Sequence, residues 1–259
     1  MIIGLLGTMG SGKDTVAKIL QYYTIPIEYR SLSVSEWVEN EFWYDAHMMD
    51  CIGDFSGNKA KLSCYIENKK FAGKLKESCA LVLGCNVEDF ESSEFKSSNL
   101  PPIWKREYIA NYNQSINGEL THRWLLQEFG ATLRNLVNED IWAISLFNGL
   151  QKDSNWVISD LRYENELEFI KCYNPNTGIL LPSPEYDDRF VIRIENPNQP
   201  VYEDIHESEQ LATYTYKRIP ELIDFTIIND KDKGINHLSK VIHNLLLENK
   251  ETIGKYFYV

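Results

Sequence analysis

Apolar residues recur along the chain in two rhythms. Met1 to Leu6 is a short continuous apolar run, and Asp14 to Tyr23 carries Val16, Ile19, Leu20 and Tyr23 at helical spacing. Further β-branched or aromatic runs follow at "IPIEY" (25–29), "WVIS" (156–159), "FVIRI" (190–194) and "DFTII" (224–228), each ending in polar or turn residues. Between them, 3.6-residue periodicity predicts helices over 69–84, 121–138, 139–152, 163–173 and 234–249. Strands alternating with helices predict an α/β fold: a five-stranded, mainly parallel sheet flanked by helices, with ligands bound beyond the carboxyl ends of the strands. Two stretches fit neither rhythm: 32–66, and 174–189, whose Pro, Gly and Asn read as a loop or hairpin. The whole is read as one domain, 1–259, enlarged at those two places.

The join between the first strand and helix carries the chemistry. Gly7, Met9, Gly10, Ser11, Gly12 and Lys13 lie in the spacing of a P-loop, followed by Asp14 and Thr15. Strand, glycine loop and helix is the context that motif requires. There the glycines let backbone N–H groups turn toward a phosphate, the helix N-terminus adds its positive end, and Lys13 reaches the β- and γ-phosphate oxygens. Asp14 stands where Ser or Thr usually follows the lysine. Thr15 is then the first-turn hydroxyl for a phosphate, and Asp14 is open between metal support and favourable helix-start electrostatics.

Composition narrows the partners. A net charge of −12 over 259 residues argues against a nucleic-acid surface, since the longest basic cluster, Lys69 to Lys76, is short. The five cysteines contain no C-x-x-C pair, so neither a disulfide framework nor a zinc site is expected. Without a leader-like N-terminus or an apolar run of about 18 residues, the expectation is a cytoplasmic protein away from membranes.

Two segments supply the fixed cations that phosphoryl transfer demands. In "THRWLLQEFGATLRN", Arg123, Gln127 and Arg134 share a helical face, with Gly130 and Ala131 between them as room for a ligand and Trp124, Leu125, Leu133 and Leu136 left for packing. In "WVISDLR", an apolar strand ends at Asp160, and Arg162 points the same way two residues on. An amphipathic helix with a solvated basic edge, and a structural ion pair, are the plainer readings of these segments. "NDKD" (229–232) resembles a guanine-reading motif, but Lys231 comes one position too late.

The blocks "GSGKDT", "KKFAGKLKESCALVLG" (69–84), "THRWLLQEFGATLR", "IWAISL", "WVISDLRYENE", "HESE" (206–209) and "TIIND" occur in an order that resembles the phage-type deoxynucleoside monophosphate kinases. The resemblance implies transfer of the γ-phosphoryl of ATP to a deoxynucleoside 5′-monophosphate, with Mg²⁺, in a P-loop kinase. It implies Lys13, Asp160 and Arg162 as catalytic, with Asp160 holding the metal, directly or through water, and Asp14 a further metal candidate. Phe71, Lys76, Arg123, Gln127 and Arg134 become acceptor-binding, and Asn229 the edge of the ATP base site. "HESE" is either a helix cap or a nucleotide contact. A deoxynucleotide is the expected partner, with a homodimer left open. Other small-molecule kinases with a "GKD" loop, acting on phosphomevalonate or dephospho-coenzyme A, differ only in the acceptor pocket. A non-catalytic ATP-binding interaction module is the third reading, to which the aromatics Trp37, Phe42, Trp43 and Tyr44 lend support.

Overall fold

The computed structural model describes residues 1–30, 32–39, 66–104, 120–150, 154–198 and 217–259. The chain gathers into two compact units, one of Met1–Lys70 with Phe147–Val259, the other of Phe71–Leu146.

The first unit is built on a five-stranded sheet in the order β2-β3-β1-β6-β7. Its strands are β1 (Ile2–Leu6), β2 (Glu67–Lys69), β3 (Trp156–Leu161), β6 (Arg189–Glu195) and β7 (Phe225–Ile228). Every pairing is parallel, with β1 central: Leu6 stands opposite Leu161 on one side and Arg193 on the other. Parallel neighbours need crossover connections, and a sheet covered on both faces needs apolar strands. Accordingly β1 is buried throughout.

One face is covered by α1 (Lys13–Tyr23) and α8 (Gly234–Glu248). Ile3, Leu5, Val157, Ile192 and Ile194 form a core there with Val16, Leu20, Leu238 and Ile242. On the other, α7 (Glu164–Cys172) packs on β1 and β6. A Cβ at Gly4 would lie 2.4 Å from Ile170 Cδ1 of that helix, so any side chain there would displace Ile170. Lys171 of α7 is buried, and its ammonium bonds both oxygens of Asp224 at 2.8 and 2.7 Å and the carbonyl of Arg189 at 3.0 Å, tying α7 to β6 and the start of β7. A short antiparallel pair, β4 (Tyr173–Asn174) with β5 (Ile179–Leu180), makes the hairpin expected within 174–189.

Two sequence expectations are corrected. "IPIEY" is not a strand: after Pro26 the chain forms a single 3₁₀ turn, Ile27–Tyr29, with Ile27 exposed. The second strand is instead "ENK" at 67–69, an edge strand whose side chains are mostly exposed and so lack an apolar signature. Of the 32–66 segment, α2 (Val34–Glu39) is described; its Trp37 is buried in the core, donating from Nε1 to the Lys18 carbonyl at 3.0 Å. Phe42, Trp43, Tyr44 and the "HESE" segment lie outside the described residues.

The second unit contains α3 (Phe71–Leu83), α4 (Ser93–Ser97), α5 (His122–Leu136) and most of α6 (Ile141–Phe147). Cys79, Ala80, Phe90, Leu100, Leu120 and Leu125 form its core. Thr121 caps α5 by accepting from the Trp124 N–H at 3.1 Å. Among the described residues, no helix is long and apolar enough to cross a membrane.

Candidate functional site

The glycine loop leaves the carboxyl end of the central strand and enters α1 through Gly12, which has φ 99°. Gly10 has φ 78°, so both positions need the left-handed conformation that glycine adopts without strain. At Gly7 the demand is space: a Cβ there would lie 2.6 Å from Ser11 Oγ and 2.8 Å from the Ile194 carbonyl.

Three features fit the loop to an anion. The N-cap of α1 is Gly12, which has no side chain to cap the helix, so the positive end of the helix faces the loop and favours an anion there. The Ser11 hydroxyl is fully buried and has no hydrogen-bond partner among the described residues, and such a group carries a desolvation cost that a ligand oxygen removes. Lys13 is 9% exposed, and its ammonium donates to the carbonyls of Gly7 at 2.5 Å and Thr8 at 2.8 Å, so the cation is held inside the loop. Met9 is exposed on the rim, and Thr15 is half-buried in the first turn of α1.

Asp14 acquires partners that its sequence neighbourhood did not reveal. The Ser159 hydroxyl, from β3, donates to Asp14 Oδ1 at 2.9 Å, and the Lys70 ammonium, just past β2, lies 3.4 Å from the same oxygen. Neither Ser159 nor Lys70 as a partner of the loop could be singled out from spacing, because β3 and the true β2 are remote in sequence from residue 14.

The carboxyl ends of the strands bring the remaining first-unit candidates to the same end of the sheet. Asp160 lies near the end of β3 and Arg162 just beyond it, both half-buried. Buried Glu166 accepts the backbone N–H groups of Arg162 at 2.9 Å and Tyr163 at 3.1 Å, fixing the turn from β3 into α7. On the other side of β1, Arg193 of β6 pairs with Glu195, a charged pair not anticipated from sequence. Asn229, one residue past β7, is 5% exposed and donates from Nδ2 to the Ser11 carbonyl at 2.8 Å.

All five acceptor candidates fall in the second unit. Arg123 and Gln127 are exposed, one turn apart on α5. Arg134 is half-buried and donates to the Glu139 carbonyl at 3.3 Å. Lys76 is engaged by Glu91 at 2.6 Å, and Phe71 is 2% exposed. The room expected at Gly130 is filled: a Cβ there would lie 3.0 Å from Leu75 Cδ2, and the Trp142 indole donates to the Gly130 carbonyl at 3.3 Å. Gly130 therefore serves helix packing. Leu136, expected to pack, is 80% exposed.

Among the described residues no three His, Cys, Asp or Glu side chains cluster as a metal site.

The sequence is 25% identical to the deoxynucleoside-5′-monophosphate kinase of Escherichia phage T5, over 98% of this chain and 99% of the relative. No protein-family model matches, and no solved structure matches significantly. The sheet and its loop have the architecture of a P-loop kinase, and the chain is a distant, end-to-end relative of the phage T5 enzyme.

Proposed function

We propose that the protein transfers the γ-phosphoryl of ATP to a deoxynucleoside 5′-monophosphate. At the coarser level, the distant relationship supports a nucleotide kinase, a phosphotransferase. The observation that carries the donor half is the P-loop entering α1 through Gly12, with a buried hydroxyl that has no partner among the described residues and a lysine held between loop carbonyls. The acceptor half rests on the likeness to the phage enzyme.

In this reading the first-turn N–H groups and Ser11 Oγ bind the β-phosphate, and Lys13 exchanges its bonds to Gly7 and Thr8 for phosphate oxygens. The acceptor phosphate is already an anionic nucleophile, so the residues' task is to align two anions and offset charge on the transferred group. Arg162 supplies that charge. Asp160 would hold Mg²⁺, directly or through water, and such an ion would supply positive charge against the β- and γ-phosphates. Arg123 and Gln127 hold the acceptor, with Arg134, Lys76 and Phe71 supporting that pocket.

The test is a chromatographic product assay with Mg-ATP over the common deoxynucleotides, 5-substituted pyrimidine deoxynucleotides, ribonucleotides, phosphomevalonate and dephospho-coenzyme A. At least one deoxynucleoside monophosphate is expected to give its diphosphate, with only slow ATP hydrolysis when acceptor is absent, as water exclusion requires. Phosphorylation confined to phosphomevalonate or dephospho-coenzyme A would overturn the deoxynucleotide assignment. ATP binding without transfer to any acceptor would favour the interaction module.

A further inference from the structure

Asn229 stands at the end of β7, where the family resemblance implies the edge of the adenine site, yet its amide acts on the loop. Its backbone N–H donates to the Glu195 carbonyl at 2.7 Å, anchoring the residue to β6. From that anchor the side chain reaches 218 residues back in sequence to bond the Ser11 carbonyl at 2.8 Å in a buried position. It also lies against Gly12, where a Cβ would run into the Asn229 amide nitrogen. Gly12 is glycine for its φ of 99°, and a side chain there would also displace the Asn229 amide.

We propose that Asn229 is a positioning residue that latches the P-loop in its anion-binding form; the inference rests on the reading of that loop as a polyphosphate site. The reason lies in the peptide unit. In a trans peptide the C=O and the following N–H point in opposite directions. Holding the Ser11 carbonyl outward on Asn229 therefore turns the Gly12 N–H the other way. Were this peptide to rotate, a carbonyl oxygen would replace the N–H and repel a phosphate. The Ser11 N–H, bonded to the Thr8 carbonyl at 3.1 Å, and Lys13, bonded to Gly7 and Thr8, hold the rest of the loop. Asn229 is a tie from outside the loop to its Ser11–Gly12 peptide, so its contribution is preorganisation.

The experiment compares wild type with Asn229→Ala and with Asn229→Leu, which keeps the volume but has no donor. Calorimetry measures binding of Mg-ATP and of inorganic tripolyphosphate, and hydrogen exchange follows the backbone of residues 10–13 without ligand. The latch predicts that both ligands bind about tenfold more weakly, the loss expected for one buried hydrogen bond, and that residues 10–13 exchange faster. Weaker binding of ATP with unchanged tripolyphosphate would make Asn229 a base contact and overturn the proposal. Unchanged binding of both would overturn it equally. If wild type binds neither ligand, the kinase reading itself fails; the latch is then judged by exchange alone, with faster exchange in the variants upholding it and unchanged exchange refuting it.

Discussion

Replacing Lys13 with Met keeps the aliphatic stem and removes only the ammonium, which separates the charge from the packing. That ammonium donates to the carbonyls of Gly7 at 2.5 Å and Thr8 at 2.8 Å. Each charged bond is worth about 1.5–3 kcal/mol in net terms, but burying the ammonium itself costs free energy, so a loss of roughly 1–3 kcal/mol in stability is expected. For a protein of this size that is a fall of roughly 3–10 °C in Tm. Against a typical stability of about 5–15 kcal/mol the variant stays more than about 95% folded. Under the proposed function, phosphoryl transfer in contrast loses a fixed cation that would reach the transferred group, and deleting one such preorganised donor typically costs about 10²–10³ in turnover. Unfolding of so small a fraction cannot produce a hundredfold loss, so the two effects separate cleanly. The assays are thermal unfolding by circular dichroism and ADP formation with a deoxynucleoside monophosphate acceptor. Lys13→Met with turnover within a few-fold of wild type would refute the reasoning, since the ammonium would then serve only the loop.

Four further outcomes are expected. Arg162→Ala should lower turnover by about 10³–10⁵ while leaving the Kd for ATP nearly unchanged, because its charge matters most where charge develops; an effect confined to ATP affinity in steady-state and binding measurements would remove it from that role. Arg123→Ala, at an exposed position, should raise the acceptor KM without shifting Tm; a rise in the ATP KM alone would reassign α5. Gly130→Leu should destabilise the protein by about 1–3 kcal/mol in urea unfolding, because it overpacks the contact with Leu75; an unchanged midpoint would show that space is open there. Burial pushes the Cys79 thiol up to about 11, so thiolate forms only at high pH. Iodoacetamide at pH 8 should therefore label half-buried Cys85 well before Cys79, as read by peptide mass spectrometry, and equal rates would contradict that burial.

How far the sequence could be read depended on which face each element buries. Strands β1, β3, β6 and β7 carry apolar residues because helices cover both sides of the sheet, and each lies where its apolar run predicts. At the edge, Glu67–Lys69 pairs on one side only and exposes its side chains, so no periodicity marks it. "IPIEY" has the composition of a strand, but Pro26 lacks the N–H that a ladder needs, and the chain turns there. The P-loop was legible because its chemistry is local, from Gly7 to Lys13. Its supports were not: the Ser159–Asp14 bond spans 145 residues and the Asn229–Ser11 bond 218. Gly130 misled because glycine on a polar helix face suits a ligand and a packed leucine equally, and spacing alone does not distinguish them.

The aspartate after Lys13 illustrates what the fold adds to a motif. A carboxylate in the first turn of α1 is favoured by the helix dipole, yet it would repel a triphosphate bound at the same N-terminus. The structure places a cation against it. Lys70 stands 3.4 Å from Asp14 Oδ1, and Ser159 donates to the same oxygen at 2.9 Å. Asp14 is 68% exposed as a side chain, so the ion pair contributes only about 0–1 kcal/mol to stability. Its consequence is positional: one oxygen joins the start of α1 to residues at the ends of β2 and β3. The pair also turns a lone negative charge beside the loop into a local dipole, and it draws the Lys70 ammonium toward the carboxyl ends of the strands. Lys70 is thereby held beside the P-loop, and the charge that Asp14 adds is offset by the cation it recruits.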